Sequence, residues 1–152
     1  ITDRGLASLC LHTGIRKLFL NNTKITDQSA RSLKKLTHLK ALGLNDTRST
    51  VGGIAKGMQN DFLSKLNQQG CGVKDADIPV LVKSFPKLEI LSLGYTNLTD
   101  TGLIGLTRLT SLTILRIPDC KQLTPAGIRA FRSEMPGCNV VTEINVGDSD
   151  LL

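Results

Sequence analysis

The chain has 152 residues, which is enough for one domain with its own core. Hydrophobic residues make up 40% of the chain and aromatic residues only 3%, so Leu, Ile, Val and Ala have to fill that core. This composition favours a thin, regularly stacked interior, and the absence of a run of about 18 apolar residues argues against a membrane-spanning helix. The formal net charge of +6 leaves both an acidic protein and a nucleic acid open as partners.

The first predicted element is a short helix. The phrase Ile1-Thr2-Asp3-Arg4-Gly5-Leu6 is repeated closely as Leu98-Thr99-Asp100-Thr101-Gly102-Leu103. Ile1 aligns with Ile25, so we expect residues 1–14 to be the helical half of a truncated unit. We therefore expect the natural protein to continue upstream or to have been processed, and no basic-then-apolar signal is visible.

A period of about 24 residues runs through the rest of the chain. The apolar residues that open successive units are 24, 24, 25 and 24 residues apart; they are Ile15, Leu39, Leu63, Leu88 and Leu112. Each unit is too small to bury its own apolar face. Stacking of neighbouring units is expected to complete the core.

Each unit combines a strand signal with a helix signal. Ile15, Leu18 and Leu20 alternate as in a short half-buried strand. Thr26-Asp27 then supplies N-cap side chains before a stripe spaced by three residues, Ala30, Leu33 and Leu36. Thr99-Asp100 and Thr124-Pro125 repeat this arrangement further along, with Pro at a tolerated first helical position. The strands are therefore predicted to form one parallel sheet.

Residues 48–72 have the length of one unit but lack its pattern of aliphatic residues. Polar or small residues replace the expected aliphatic ones here; they are Ser49, Gly57, Asn60 and Gln68. The segment is either a degenerate unit supported by its neighbours or an irregularity that serves binding, with Gly52-Gly53 and Gly70-Cys71-Gly72 as flexible points. A further alternative is one longer helical stripe through Ile54, Met58, Phe62 and Leu66.

The repeated phrases resemble the leucine-rich-repeat family, in particular its cysteine-containing and bacterial branches, whose units carry Ile-Thr-Asp-x-Gly-Leu. Residues 1–6 and 98–103 match that phrase closely. The resemblance implies an α/β fold, a curved solenoid with parallel strands on the concave face and short helices on the convex face. We expect this domain to span residues 1–146, with a closing strand near 138–146 and a C-terminal tail over 147–152.

The ninth position of each unit is Thr or Cys, as in the family, where a small polar side chain serves the backbone at the turn after the strand. These residues are Thr23, Thr47, Cys71, Thr96 and Cys120. We expect Cys10 to be exposed and Cys138 to open the last strand. Four cysteines without a CxxC pair favour an intracellular protein, although Asn21, Asn45 and Asn97 begin formal N-glycosylation sequences.

Strand alternation predicts which side chains face the concave side. The candidate partner-binding residues on that face are Lys17, Phe19, Asn21, Asn45, Lys65, Asn67, Gln69, Ser92, Tyr95 and Arg116. Phe19, Tyr95 and Arg116 lead this set because rings and Arg contribute disproportionately to protein interfaces.

No nucleophile–base pair, paired carboxylates or metal-ligand spacing is found in the sequence, so we predict no enzyme activity, no cofactor and no metal site. His12 is expected to replace a core-facing Leu, and His38 to lie at a unit junction. The predicted function is a non-catalytic protein–protein interaction module, and a monomer is favoured. The alternatives are a substrate-recognition segment of a larger enzyme, such as an F-box-type ubiquitin ligase or a kinase, and an electrostatic binder of nucleic acid, which is disfavoured because basic residues scatter and aromatic interleaving is missing.

Overall fold

The computed structural model describes residues 1–143. It contains one six-stranded parallel sheet in the order β1-β2-β3-β4-β5-β6. The strands are β1 (Lys17–Phe19), β2 (Ala41–Gly43), β3 (Lys65–Asn67), β4 (Ile90–Ser92), β5 (Ile114–Arg116) and β6 (Asn139–Val141). The helices are α1 (Asp3–Leu9), α2 (Ala30–Leu33), α3 (Val51–Gly57), α4 (Ile78–Ser84), α5 (Asp100–Gly105) and α6 (Pro125–Glu134). Short 3-10 turns cover Asp27–Ser29, Asp75–Asp77 and Leu106–Arg108.

Each strand pairs with its neighbours in sequence and in one continuous register. Lys17 lies opposite Ala41, Ala41 opposite Lys65, and Lys65 opposite Ile90, so equivalent positions of successive units lie side by side. The expected architecture is confirmed: it is a curved solenoid with the parallel strands on the concave face and the short helices on the convex face. The expected closing segment beyond residue 143 and the tail over 147–152 lie outside the described residues.

The helices begin where the sequence predicts. The hydroxyl oxygens of Thr26, Thr99 and Thr124 accept hydrogen bonds from backbone N–H groups of the first turn at 3.3, 3.2 and 3.0 Å. Thr50 caps α3 in the same way, with Gly53 N at 2.9 Å. Pro125 is the first residue of α6, as its fixed backbone angle favours. The three predicted caps are confirmed.

The core is a stack of aliphatic side chains between the sheet and the helices. The strand residues Leu18, Leu42, Leu66, Leu91 and Leu115 are buried in register, one above the other. The helical stripe of Ala30, Leu33 and Leu36 is buried as well. Phe85 and Phe131 are the two largest fully buried side chains, so the core needs few rings to fill the space.

Two expectations about the first unit are wrong. Cys10 is fully buried, and His12 is exposed instead of replacing a core-facing Leu. The reason is that α1 is a continuous α-helix from Asp3, whereas the second unit enters its helical half through a 3-10 turn at Asp27–Ser29. Because the two helix types advance by about 3.6 and 3.0 residues per turn, equal offsets reach different faces.

The ninth-position side chains do serve the backbone. The hydroxyls of Thr23, Thr47 and Thr96 donate to the carbonyl oxygen three residues earlier at 2.6, 2.9 and 2.7 Å. The thiols of Cys71 and Cys120 instead donate to a carbonyl of the preceding unit, Leu44 O at 3.0 Å and Leu93 O at 3.3 Å. Both cysteines are therefore structural. Cys138 lies one residue before β6, which opens at Asn139.

The segment over residues 48–72 is a unit of the solenoid. It contributes α3 and β3, and β3 pairs in register with both of its neighbours. The alternative of one longer helical stripe is wrong, because α3 ends at Gly57 and Phe62 lies beyond it with 61% of its surface exposed.

Candidate binding surface on the concave face

The concave face is organised in rows that run across the strands. We call the residues at the fifth position of each unit the central row; they are Phe19, Gly43, Asn67, Ser92 and Arg116. Neighbouring members belong to adjacent strands, which lie about 4.8 Å apart in a sheet. Residues separated by 24 or 25 positions in the chain therefore form one continuous strip.

Phe19 lies at one end of the central row and is 45% exposed. A Cβ atom added to Gly43 would come within 2.8 Å of the Phe19 ring. Because glycine has no side chain, the ring can pack against the backbone at this position. Lys17 is exposed and Lys65 is half-buried, on the row nearer the start of the strands. These three candidate side chains are at least partly exposed to solvent.

Two of the candidate amide side chains, Asn21 and Asn45, support the fold directly. Asn21 Oδ1 accepts a hydrogen bond from the backbone N–H of Asn45, and Asn45 Oδ1 accepts one from that of Gln69, both at 2.9 Å. Each asparagine thus joins its own unit to the next. Since these oxygens are occupied, the two asparagines first of all form a structural ladder, which the repeated Asn at the seventh position could have indicated.

The other end of the central row is buried, contrary to the expectation that it is an exposed strand face. Asn67 and Arg116 are each 6% exposed, and Ser92 is fully buried. These three residues lie on strands that have a neighbouring strand on both sides, whereas β1, with Phe19, lies at the edge of the sheet. Three of their buried atoms have no hydrogen-bond partner among the described residues; they are Asn67 Oδ1, Ser92 Oγ and Arg116 Nε.

Tyr95 has an unusual backbone. Asn22, Asp46, Gly70, Tyr95 and Asp119, the eighth-position residues, all have φ between 51° and 65°. Asn, Asp and Gly adopt this left-handed conformation readily, whereas a bulky Tyr does so only under strain. Tyr95 is also 45% exposed, in the turn directly after β4 at the edge of the concave face. The column of Asn, Asp and Gly could have predicted this turn geometry from the sequence.

Along the helix side, four carboxylates join successive units, a feature that sequence reasoning missed. Each accepts hydrogen bonds from both the backbone N–H and the hydroxyl of the capping Thr in the next unit. We call these pairs the Asp–Thr clamps: Asp3 with Thr26, Asp27 with Thr50, Asp75 with Thr99, and Asp100 with Thr124. Their O···N and O···O distances lie between 2.5 and 3.1 Å.

The clamp is missing between α3 and the turn that precedes α4. Val51 and Lys74 occupy the positions of the Asp and the Thr, and Asp77 instead accepts from the backbone N–H of Lys74 at 3.3 Å. A cleft of about 940 Å³ opens at this side of the solenoid, lined in part by Lys56, Gly70–Val73, Lys74 and Tyr95. The irregular unit thus forms one side of a cleft next to Tyr95, in addition to the concave face of the sheet.

The described residues contain no group of three or more His, Cys, Asp and Glu side chains that could hold a metal ion. Burial raises the pKa of the Cys10 and Cys138 thiols, which disfavours the reactive thiolate. His12 and His38 are both exposed. None of the described helices is long and apolar enough to cross a bilayer.

Comparison with known proteins gives one family. Residues 86–106 match a model described as a leucine-rich repeat. No curated protein sequence matches the chain.

Three solved structures share the fold at low sequence identity. A leucine-rich-repeat protein of Leptospira interrogans is 20% identical with a TM-score of 0.63, covering 88% of this chain and 33% of its own. The second actin-binding site of leiomodin-1 is 17% identical with a TM-score of 0.65, covering 88% and 87%. An internalin from Listeria monocytogenes is 16% identical with a TM-score of 0.53, covering 91% and 51%.

This chain therefore spans a third of the Leptospira protein and about half of the internalin. The matched repeat, the 24- to 25-residue register and the parallel sheet agree with one another. By its repeats and its fold, the chain is similar to leucine-rich-repeat proteins.

Proposed function

We propose that this chain is a non-catalytic module that binds a partner protein through the concave face of its sheet. The architecture is one commonly used for protein interaction. The observation that carries the proposal is Tyr95, a half-exposed ring held in a left-handed backbone conformation. Strain at an exposed aromatic residue, where the other units have Asn, Asp or Gly, supports a role for the ring itself.

Phe19 supports the same conclusion from the other end of the sheet. Its ring is as exposed as that of Tyr95, and Gly43 provides the space beside it. Both residues are attached to a hydrogen-bonded sheet, so a partner would meet rings that are already ordered, at a low entropic cost. The two residues lie on different strands and do not touch a common point. A partner contacting both would span β1 to β4.

The test compares ring removal on the face with ring removal elsewhere. Tyr95→Asn removes the ring but keeps a residue that accepts positive φ, and Phe19→Ala removes the other ring. Phe62→Ala is the matched control, because Phe62 is exposed in the turn between α3 and β3. Proteins captured by the immobilised wild-type chain would be identified, and the dissociation constant of each would be measured for every variant.

We expect Tyr95→Asn and Phe19→Ala to weaken binding by about tenfold or more, as for an interface anchor, and Phe62→Ala to leave it unchanged. Equal affinity for all variants would contradict the concave-face proposal. Capture that disappears on nuclease treatment would support the nucleic-acid alternative instead. If the chain serves as the recognition segment of a larger enzyme, the same face binds the substrate, and the variants behave in the same way.

A further inference from the structure

The row of eighth-position residues has a gap at Gly70. This row follows the ends of the strands, and its members, all exposed, are Asn22, Asp46, Gly70, Tyr95 and Asp119. The backbone N–H groups of Asp46 and Gly70 each donate to a carbonyl of the next unit at 3.0 Å, so the turns lie side by side in register. Asp46 and Tyr95 are therefore two strand spacings apart, about 10 Å, with one glycine between them.

The Asp46 carboxylate lies over this gap. A Cβ atom at position 70 would collide with Asp46 Oδ1, so that oxygen occupies space that a side chain at Gly70 would fill. Each clamp carboxylate accepts two hydrogen bonds from a Thr, whereas no hydrogen bond among the described residues ends on the Asp46 carboxylate. Asp46 is thus an exposed anion that can accept from a donor on another molecule.

Tyr95 borders the gap from the other side. Tyr95 and Gly70 line the same cleft, whereas Asp119, the next member of the row, lines a separate one. A carboxylate and an exposed aromatic ring thus flank one empty position on the surface. A cation placed there would gain a charge-assisted pair with Asp46 and the attraction of the negative face of the ring.

The charges around the cleft also favour a cation over an anion. Four carboxylates and three cations surround it, a balance of −1: Asp27, Asp75 and Asp77 of the lining with Asp46, against Lys56 and Lys74 of the lining with the exposed Arg48. The two lysines lie on the helix side, in α3 and at the turn before α4, whereas Asp46 lies at the strand ends. An anionic group over Gly70 would meet the Asp46 carboxylate first.

We propose that the partner protein places an arginine side chain over Gly70, with its guanidinium paired to the Asp46 carboxylate and stacked on the Tyr95 ring. This inference rests on the proposed function and names the chemistry that the partner brings to Tyr95. Arginine fits this position better than lysine, because a planar guanidinium donates in pairs to a carboxylate and stacks flat on a ring, whereas an ammonium group is a point charge.

The probe is a pentapeptide, acetyl-Gly-Ser-Arg-Ser-Gly-amide, which is titrated into the isotope-labelled chain while NMR follows the amide signals of Gly70 and Gly72. Two matched peptides carry lysine or citrulline in place of the arginine. Citrulline has nearly the shape of arginine without its charge, so it separates the ion pair from the contact of the side chain alone.

Three variants locate the binding. Asp46→Asn removes the charge and keeps a residue that accepts the left-handed backbone, as Asn22 does in the same row. Gly70→Asn keeps that backbone as well and fills the gap. Asp119→Asn is the matched control, because Asp119 is exposed, has a φ of 51° and lies on the other side of Tyr95 in the row.

We expect saturable shifts with the arginine peptide, weaker binding of the lysine peptide and no saturable shift with the citrulline peptide. Asp46→Asn and Gly70→Asn should each raise the dissociation constant of the arginine peptide by about three- to fivefold, the size of an exposed ion pair or cation–π contact. Asp119→Asn should leave it unchanged. If thermal unfolding shows that Gly70→Asn lowers the folded fraction, the comparison of Asp46→Asn with Asp119→Asn decides alone.

No binding of the arginine peptide, equal binding of the lysine or citrulline peptide, or equal losses for the Asp46 and Asp119 variants would each overturn the inference. These results are distinguishable from failure of the proposed function. If the affinity of captured proteins depends on Phe19 and Tyr95 but not on Asp46, only the arginine chemistry is wrong. If that affinity is insensitive to both rings, the concave-face proposal itself is wrong.

Discussion

Two kinds of interface between neighbouring units hold this solenoid together. Between α5 and α6, Asp100 accepts from the backbone N–H and the hydroxyl of Thr124 at 2.9 and 2.6 Å, over a core of aliphatic residues. Between α3 and α4 this clamp is missing, and the buried Ser84 hydroxyl donates to the Ala55 carbonyl at 2.6 Å instead. The first interface is joined at its rim, the second through its interior.

The interior of the irregular unit is held by one well-satisfied amide. Asn60 occupies the position of Leu36, Phe85 and Leu109 and is 6% exposed. Its Nδ2 donates to the carbonyls of Leu36 and Leu39, both at 3.2 Å, and its Oδ1 accepts from the N–H of Phe62 at 2.8 Å. A residue that breaks the sequence pattern can thus join two units, here those that contain α2 and α3.

Gln68 shows the opposite outcome for the same kind of substitution. It replaces the strand aliphatic found as Leu93 in the following unit and is fully buried. Its Nε2 lies 3.4 Å from Ser49 Oγ, a long contact, and its Oε1 has no partner among the described residues. A buried amide therefore stabilises the fold only when its geometry uses both ends of the group.

The largest effect is expected for Asn60→Ala. The change removes three hydrogen bonds, leaves buried backbone groups unpaired and opens a cavity, so the free energy of unfolding should fall by about 3 kcal/mol. Urea denaturation measures the loss, with the exposed neighbour Gln59→Ala as control. A loss below about 1 kcal/mol, typical of surface changes, would mean that Asn60 does not hold the irregular unit.

The second prediction concerns the glycine of the repeated phrase. A Cβ atom on Gly102 would lie 2.6 Å from Leu98 Cδ1 and would also meet the Asp75 carboxylate, whereas a Cβ on Gly5 would meet nothing within 4 Å. Gly102→Ala should therefore destabilise the fold by about 2 kcal/mol through overpacking. Gly5→Ala, at the same place in its helix, should stabilise it by about 0.5 kcal/mol through helix propensity.

The sign of the difference between these two variants is the test, and thermal or urea unfolding gives it directly. If both substitutions are neutral, the glycine at this position does not serve to admit the neighbouring carboxylate and Leu98.

A smaller effect of opposite sign is expected for Gln68→Leu. The change removes a buried amide oxygen without a partner and restores the aliphatic residue of the other units. We expect a gain of about 1 kcal/mol in the free energy of unfolding. Leu93→Gln, the reciprocal change in a regular unit, is the matched variant and should destabilise the chain. A loss on Gln68→Leu would show that the amide contributes through a contact with another molecule or through water.

The smallest effect concerns pH. The hydroxyl and then the backbone N–H of Thr124 lower the pKa of Asp100, which has an ordinary value of 3.8. A lowered folded-state pKa means that the clamp stabilises the fold above the unfolded-state pKa and that this stability is lost as pH falls through the folded value.

Between pH 5 and pH 3, urea midpoints should therefore fall less for Asp100→Asn than for the wild type, since the amide does not titrate. Thr124→Val, which removes the hydroxyl donor, should weaken the dependence in part. Identical pH profiles for the three proteins would show that this clamp contributes nothing measurable to stability.

The sequence alone determined the fold, because the relevant information is local and repeated. Leu18 and Leu20, with their counterparts every 24 or 25 residues, specify a strand face, and Thr26 and Thr124 specify helix starts. A repeat defines its own neighbours, so the parallel register follows from the period without knowledge of distant contacts. The concave row could be identified for the same reason.

The tertiary structure alone decided which members of that row a partner can reach. Alternation of side chains along each strand places Phe19 and Arg116 on the same face. However, β1 lies at the edge of the sheet and Phe19 is half-exposed, whereas β5 lies between β4 and β6 and Arg116 is buried. The same holds for Cys10 and His12, whose orientation depends on the helix type that precedes them. Burial and hydrogen bonding of a side chain depend on where atoms of the neighbouring units lie. The repeat period of the sequence does not specify those atomic positions.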